Sequence, residues 1–127
     1  MTEALAMART REHRVLDAGV CAIDLVHLAR MTLGDPSLER EVLQLFVRQA
    51  TMLLDRMNAA PAPAVRSFAH TLKGSAQGLG AWQVAAAAEA VESAAREHCS
   101  DLAATLTALS SAVAEAKSSI DDLLRDY

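Results

Sequence analysis

Apolar residues recur every three to four positions along nearly the whole chain, and no segment alternates apolar and polar residues as a half-buried strand would. This spacing gathers the apolar side chains on one face of a helix. The composition agrees, because Ala, Leu, Glu and Arg are frequent while Gly and Pro contribute only 5 and 3 residues. The sequence therefore predicts an all-α fold.

Length and charge narrow the class of protein further. A chain of 127 residues suits one domain, and a net charge of −4 gives no reason to expect nucleic acid or an acidic membrane as partner. No apolar run approaches the roughly 20 residues of a membrane span, and the amino terminus lacks a secretory pattern. We expect a cytoplasmic protein in which residues 1–14 form a tail or short helix and residues 15–127 form the domain.

Gly and Pro residues divide the chain into five predicted helices. Gly34 ends the first helix, and Asp35 followed by Pro36 is a strong start signal for the second. The segment 58–63 contains two prolines that break the second helix, and Gly80-Ala81-Trp82 forms a corner after the third. The predicted helices cover about 21–33, 36–57, a segment ending near 79, 83–98 and 102–123.

The third helix places a histidine away from its apolar face. On a helical wheel His70 lies roughly 150° from the middle of that face. Gly74 follows one turn later and Ser67 precedes it by one turn, so small residues leave the imidazole accessible. The apolar face consists of Val65, Phe68, Ala69, Leu72, Ala76 and Leu79.

An exposed histidine of this kind can act as a nucleophile. One ring nitrogen attacks while the other holds the proton, and a carboxylate that accepts this N–H would fix the tautomer. Glu89, Glu92 and Arg96 share one flank of the fourth helix and could face the ring. Lys73, one turn from His70, offers a cation to the oxygens of a transferred phosphoryl group.

The string from His70 to Ala81, HTLKGSAQGLGA, resembles the signature of histidine-containing phosphotransfer domains, and the resemblance extends over about residues 15–125. It implies an antiparallel up-down four-helix bundle with one or two short additional helices at the amino terminus. It also implies a phosphorelay role, in which a histidine accepts a phosphoryl group from an aspartyl phosphate and passes it on. The expected partners are the receiver domains of a hybrid histidine kinase and of a response regulator.

The resemblance assigns roles to individual residues. His70 corresponds to the phosphoacceptor, Lys73 to the cation beside it, Gly74 to the small residue that lets a receiver dock, Glu92 to the polar partner of the imidazole and Arg96 to a basic residue near the phosphate. Further candidates for the partner surface are Arg66, Ser67, Gln77, Gly78 and Glu89. We expect a monomer without ATP site, metal or cofactor of its own, with Mg²⁺ carried by the receiver.

Simpler interpretations stay open for several of these residues. Lys73 and Arg96 could be solvated charges, and Glu92 with Arg96 could form a pair within one helix. Gly78 and Gly80 could serve only helix packing and the corner. No histidine pairs suggest a metal site, since Asp24 with His27 and the separate His13 and His98 form no ligand motif. Met31, Met52 and Met57 are predicted to fill the core.

Two other functions compete with phosphotransfer. The phosphoacceptor domain of a sensor kinase also carries a helical histidine, but there an acidic residue typically follows, whereas Thr71 follows His70 here. A helical adaptor could use the same surface to bind a receiver without accepting phosphate. The sequence alone does not exclude the adaptor.

Overall fold

A computed structural model describes residues 22–97 and 101–126, and these residues form helices without any strand. The helices are α1 Leu25–Met31, α2 Pro36–Ala59, α3 Ala62–Leu79, α4 Trp82–Arg96 and α5 Leu102–Arg125. Helices α2 to α5 pack in a ring, each against its two neighbours, and α1 packs against α3. The all-α prediction and the four-helix bundle with a short preceding helix are thereby confirmed.

The start of α2 follows the predicted capping. The Asp35 carboxylate accepts hydrogen bonds from the backbone N–H groups of Ser37 at 2.9 Å and Leu38 at 3.3 Å. These are donors that a helix cannot satisfy internally, and Pro36 in the first turn loses none. The break between α2 and α3 is short. Ala60 and Pro61 are extended, and α3 starts directly after them.

The corner between α3 and α4 also anchors α1. Gly80 ends α3 with φ +90°, a left-handed conformation that favours glycine. Its carbonyl accepts the Asp24 N–H at 2.8 Å, and the Trp82 indole donates to the Asp24 carboxylate at 2.9 Å. The same carboxylate accepts the His27 backbone N–H, so Asp24 both caps α1 and fastens it to the corner.

The core contains the predicted faces of α3 and α4. Five of the six predicted residues of α3 are buried, and Phe68 is half-buried against them. Val84, Ala88, Val91 and Ala95 of α4 are likewise buried. Because α3 turns this face inward, the opposite face, which carries His70, points to solvent.

Some core predictions were wrong. Met31 and Met52 are 57% and 43% exposed, and of the three methionines only Met57 is buried. Val26 and Leu45 also recur at the apolar spacing of their helices. Both are exposed, because apolar residues on the flank of a helix need not face a neighbour. The first helix begins at Leu25, with Asp24 as its cap, rather than near residue 21.

Several predictions concern residues outside the described ranges. These are the tail or short helix over residues 1–14 and the two separate histidines, His13 and His98. None of the described helices is long and apolar enough to cross a membrane.

Candidate functional site

His70 stands out from α3 towards solvent. Its side chain is 68% exposed, whereas Ala69 beside it and Leu72 half a turn later are fully buried. The burial pattern of α3 therefore fixes the direction of the imidazole, and the exposure predicted from the helical wheel is confirmed.

A carboxylate from the neighbouring helix holds one nitrogen of the ring. Glu92 on α4 brings Oε2 to 3.0 Å from His70 Nδ1, although only 12% of the Glu92 side chain is exposed. An ionised carboxylate only accepts hydrogen bonds, so the neutral ring carries its proton on Nδ1. This N–H donates a hydrogen bond to Glu92. Nε2 then keeps its lone pair. Of the acidic residues on this flank, Glu92 makes the contact, while Glu89 is exposed.

Lys73 binds the second oxygen of the same carboxylate. Its Nζ lies 3.1 Å from Glu92 Oε1, and its side chain is only 21% exposed. Burial by itself raises the pKa of Glu92, but the contacts from Lys73 and then from His70 outweigh burial and hold the pKa below its usual value. Glu92 is therefore ionised at neutral pH and joins α3 to α4 at two points.

Open surface surrounds the imidazole along α3. A Cβ built on Gly74 or Gly78 would meet no atom within 4 Å beyond the helix itself, so both positions face free space. Gln77 is exposed between them. On the other side of His70 lies a shallow depression of about 320 Å³. Its lining consists of Pro63, Arg66, Ser67, His70 and Glu92.

Arg96 bonds to Ser93 rather than to Glu92, the partner considered from the sequence. Its guanidinium donates to Ser93 Oγ at 3.3 Å, while Glu92 is bound by His70 and Lys73. The Glu92 and Arg96 pair considered from the sequence is therefore not formed. The predicted place of Arg96 near the phosphate stays a prediction.

Two features of the site were missed from the sequence. The ion pair between Lys73 and Glu92 was not foreseen, although both residues lie on flanks that the helices α3 and α4 could turn towards each other. Pro63 is one of the two prolines that break the second predicted helix, and it also lines the depression beside His70. Within the described residues, no three His, Cys, Asp or Glu side chains cluster as metal ligands.

Comparison with known proteins agrees with this geometry. A sequence profile described as the Hpt domain matches residues 41–123. Histidine-containing phosphotransfer protein B from Pseudomonas aeruginosa PAO1 superimposes with a TM-score of 0.78 and 22% identity, over 84% of this chain and 96% of that chain. A rice protein assigned to the histidine-containing phosphotransfer proteins superimposes with a TM-score of 0.76 and 17% identity. The match covers 97% of this chain and 95% of the rice chain. At these identities the likeness establishes a common fold. No curated protein matches the chain.

Proposed function

This chain belongs to the Hpt domain family, and from that premise we propose that His70 is the residue that carries the phosphoryl group. Histidine phosphotransfer in a phosphorelay is the role of the chain, and receiver domains are its partners. The observation that carries the assignment is the exposed imidazole whose Nδ1 is bound by a buried, ionised carboxylate.

The geometry favours attack by Nε2. With the proton held on Nδ1 by Glu92, the Nε2 lone pair attacks the phosphorus of a receiver's aspartyl phosphate. The N–P bond forms, the bond from phosphorus to the aspartyl oxygen breaks, and the carboxylate leaves with the bonding electrons. The ring is then an imidazolium with its proton still on Nδ1, and Glu92 stabilises that charge. Transfer to the next receiver reverses these steps at a second aspartate.

The open surface around His70 supports docking of a receiver. Gly74 and Gly78 place no side chain between the ring and an approaching partner. Ser67, Gln77 and Arg66 border the same surface and are exposed. We assign partner recognition to this surface and expect a hybrid kinase to supply one receiver and a response regulator the other.

Phosphoryl transfer between His70 and a receiver requires neither a nucleotide site nor a metal site on this chain. Phosphoryl transfer depends mainly on positioning and on neutralising charge, and receiver domains are expected to bring Mg²⁺. The chain would then act as a phosphocarrier with no ATP site or autokinase activity, as a cytoplasmic monomer. We expect Lys73 to contact the phosphoryl oxygens with one of its three N–H donors, while another stays on Glu92.

Incubation with a phosphorylated receiver domain tests the assignment. We expect an acid-labile, base-stable label on the wild type, none on His70→Gln, and an unchanged label on His27→Gln, which removes the other histidine of the described bundle. Mass spectrometry of the labelled peptide would locate the phosphate. A receiver that binds the wild type firmly without labelling it would instead identify a helical adaptor.

A further inference from the structure

Arg66 lies beside His70 and lines the same depression. It is exposed on α3, one turn before the histidine, and Ser67 and Glu92 share the lining. Helical side chains lean towards the amino terminus of their helix, so the imidazole extends over the turn that carries Arg66. Because the long Arg66 side chain lines the same depression as His70, a group bound to Nε2 there lies beside it.

Among the described residues, Arg66 forms no ion pair, whereas His70 in the same depression contacts Glu92. The ammonium of Lys73, by contrast, is bound to Glu92 and mostly buried. Since Lys73 and Glu92 neutralise each other, the positive charge that the depression offers to an anion comes from Arg66. A guanidinium also presents paired N–H donors that match the oxygens of a phosphoryl group, which an ammonium does not.

We propose that Arg66 binds the phosphoryl oxygens of phosphorylated His70 and of the transition state that leads to it. This inference rests on the proposed function of His70 and adds a second catalytic residue. Arg66 takes no part in bond making. Its N–H groups donate to the oxygens while the bond from Nε2 to phosphorus forms, and they offset the negative charge that the phosphoryl group brings into the depression.

A small phosphodonor separates this role from receiver docking. Phosphoramidate transfers its phosphoryl group to Nε2 as its own P–N bond breaks and ammonia leaves, so no partner surface is needed. We expect Arg66→Gln to be labelled on the order of tenfold more slowly than the wild type, the effect of one charge-assisted hydrogen bond. Arg66→Lys should fall between them, because it keeps the charge but loses the paired donors.

The matched control is Arg40→Gln, which removes an exposed arginine from α2 and should label at the wild-type rate. A second readout is the ³¹P signal of protein phosphorylated by a receiver. The phosphoryl group should titrate at higher pH in Arg66→Gln than in the wild type, because the nearby cation favours the dianion. Circular dichroism should give equal helicity for all variants.

The outcomes distinguish this inference from the proposed function. Equal phosphoramidate rates and equal ³¹P titrations for the wild type and Arg66→Gln would overturn the contact, and a loss confined to the receiver reaction would make Arg66 a docking residue instead. If His70 of the wild type accepts no phosphate from any receiver, the proposed function itself fails.

Discussion

His70 Nδ1 and Glu92 Oε2 lie 3.0 Å apart across the interface of α3 and α4, and the two side chains differ sharply in exposure, at 68% and 12%. The buried carboxylate is held in place by the packing of the bundle and by Lys73. Its hydrogen bond to Nδ1 therefore fixes the orientation of the exposed ring. The proposed phosphoacceptor is thus accessible to a partner and still positioned by the core.

Glu92→Gln should slow phosphotransfer. The amide can donate to Nδ1 as well as accept from it, so the ring loses its preference for the tautomer with a free Nε2. We expect a rate reduction on the order of tenfold, corresponding to one hydrogen bond to a charged group. Long-range ¹H–¹⁵N spectra of the histidine ring would measure the tautomer directly. An unchanged tautomer and rate would contradict the orienting role, and Glu115→Gln, which changes an exposed glutamate of α5, is the control.

Gly74→Gln should block the receiver without weakening the fold. Nothing lies within 4 Å of a Cβ at this position, so the new side chain projects into the docking surface. Replacing an exposed helical glycine also raises the stability of the helix by about 0.5 to 1 kcal/mol. Transfer from a receiver should therefore fall while the melting temperature stays level or rises, and Gly74→Ala should stay near wild type in transfer. A drop in melting temperature for Gly74→Gln would count against the open surface.

Gly80→Ala should lower the stability of the bundle. The residue has φ +90°, and an added Cβ would approach Asp24 Cβ to 3.0 Å and Asp24 O to 3.1 Å. A left-handed conformation alone costs a non-glycine residue about 1 to 2 kcal/mol. We expect at least that loss in the free energy of unfolding measured with urea, whereas Gly78→Ala on the open face should be neutral or stabilising. A loss of equal size at both positions would refute the crowding at the corner.

The anchoring of α1 should weaken in acid. The hydrogen bond from Trp82 and then the His27 backbone N–H lower the pKa of Asp24. A carboxyl group whose pKa is lower in the folded state stabilises that state at neutral pH. The contribution is lost as pH falls below the ordinary pKa of an aspartate and through the lower folded pKa. Trp82 is the chain's only tryptophan, so its fluorescence reports the contact. Asp24→Asn should flatten the acid transition, and an identical transition in both proteins would rule out this linkage.

The helices and the exposure of His70 could be predicted from sequence because both follow from local rules, whereas the four-helix bundle is what the family resemblance implies. Asp35 with Pro36 marks a helix start, Gly80 marks a helix end, and the spacing of apolar residues in α3 determines which side faces water. These features depend only on residues within one or two turns of each other. The same rules place Glu92 on a flank that could face His70.

What could not be predicted depends on how the helices are placed relative to one another. Spacing alone did not reveal that Glu92 binds Lys73 and His70 rather than Arg96, since the partner is decided by the packing of α3 on α4. Met52 and Leu45 have the spacing of buried residues but lie on a flank of α2 that no helix covers within the described bundle. Apolar character indicates which residues can be buried, and the arrangement of helices decides which are.

Lys73→Ala should slow phosphotransfer more than it weakens receiver binding. The ammonium is mostly buried against Glu92, so it offers little surface to a partner. Its loss removes the first of the contacts that hold the pKa of Glu92 down and the contact that fixes Oε1 in place. A larger fraction of Glu92 is then protonated or turned away, and cannot accept the N–H of His70 Nδ1. A double-mutant cycle with Glu92→Gln separates this route from direct contact with the phosphoryl group. If Lys73 acts through Glu92, the double variant should be little slower than Glu92→Gln alone. Additive losses would instead support the contact between Lys73 and the phosphoryl oxygens that the sequence predicted.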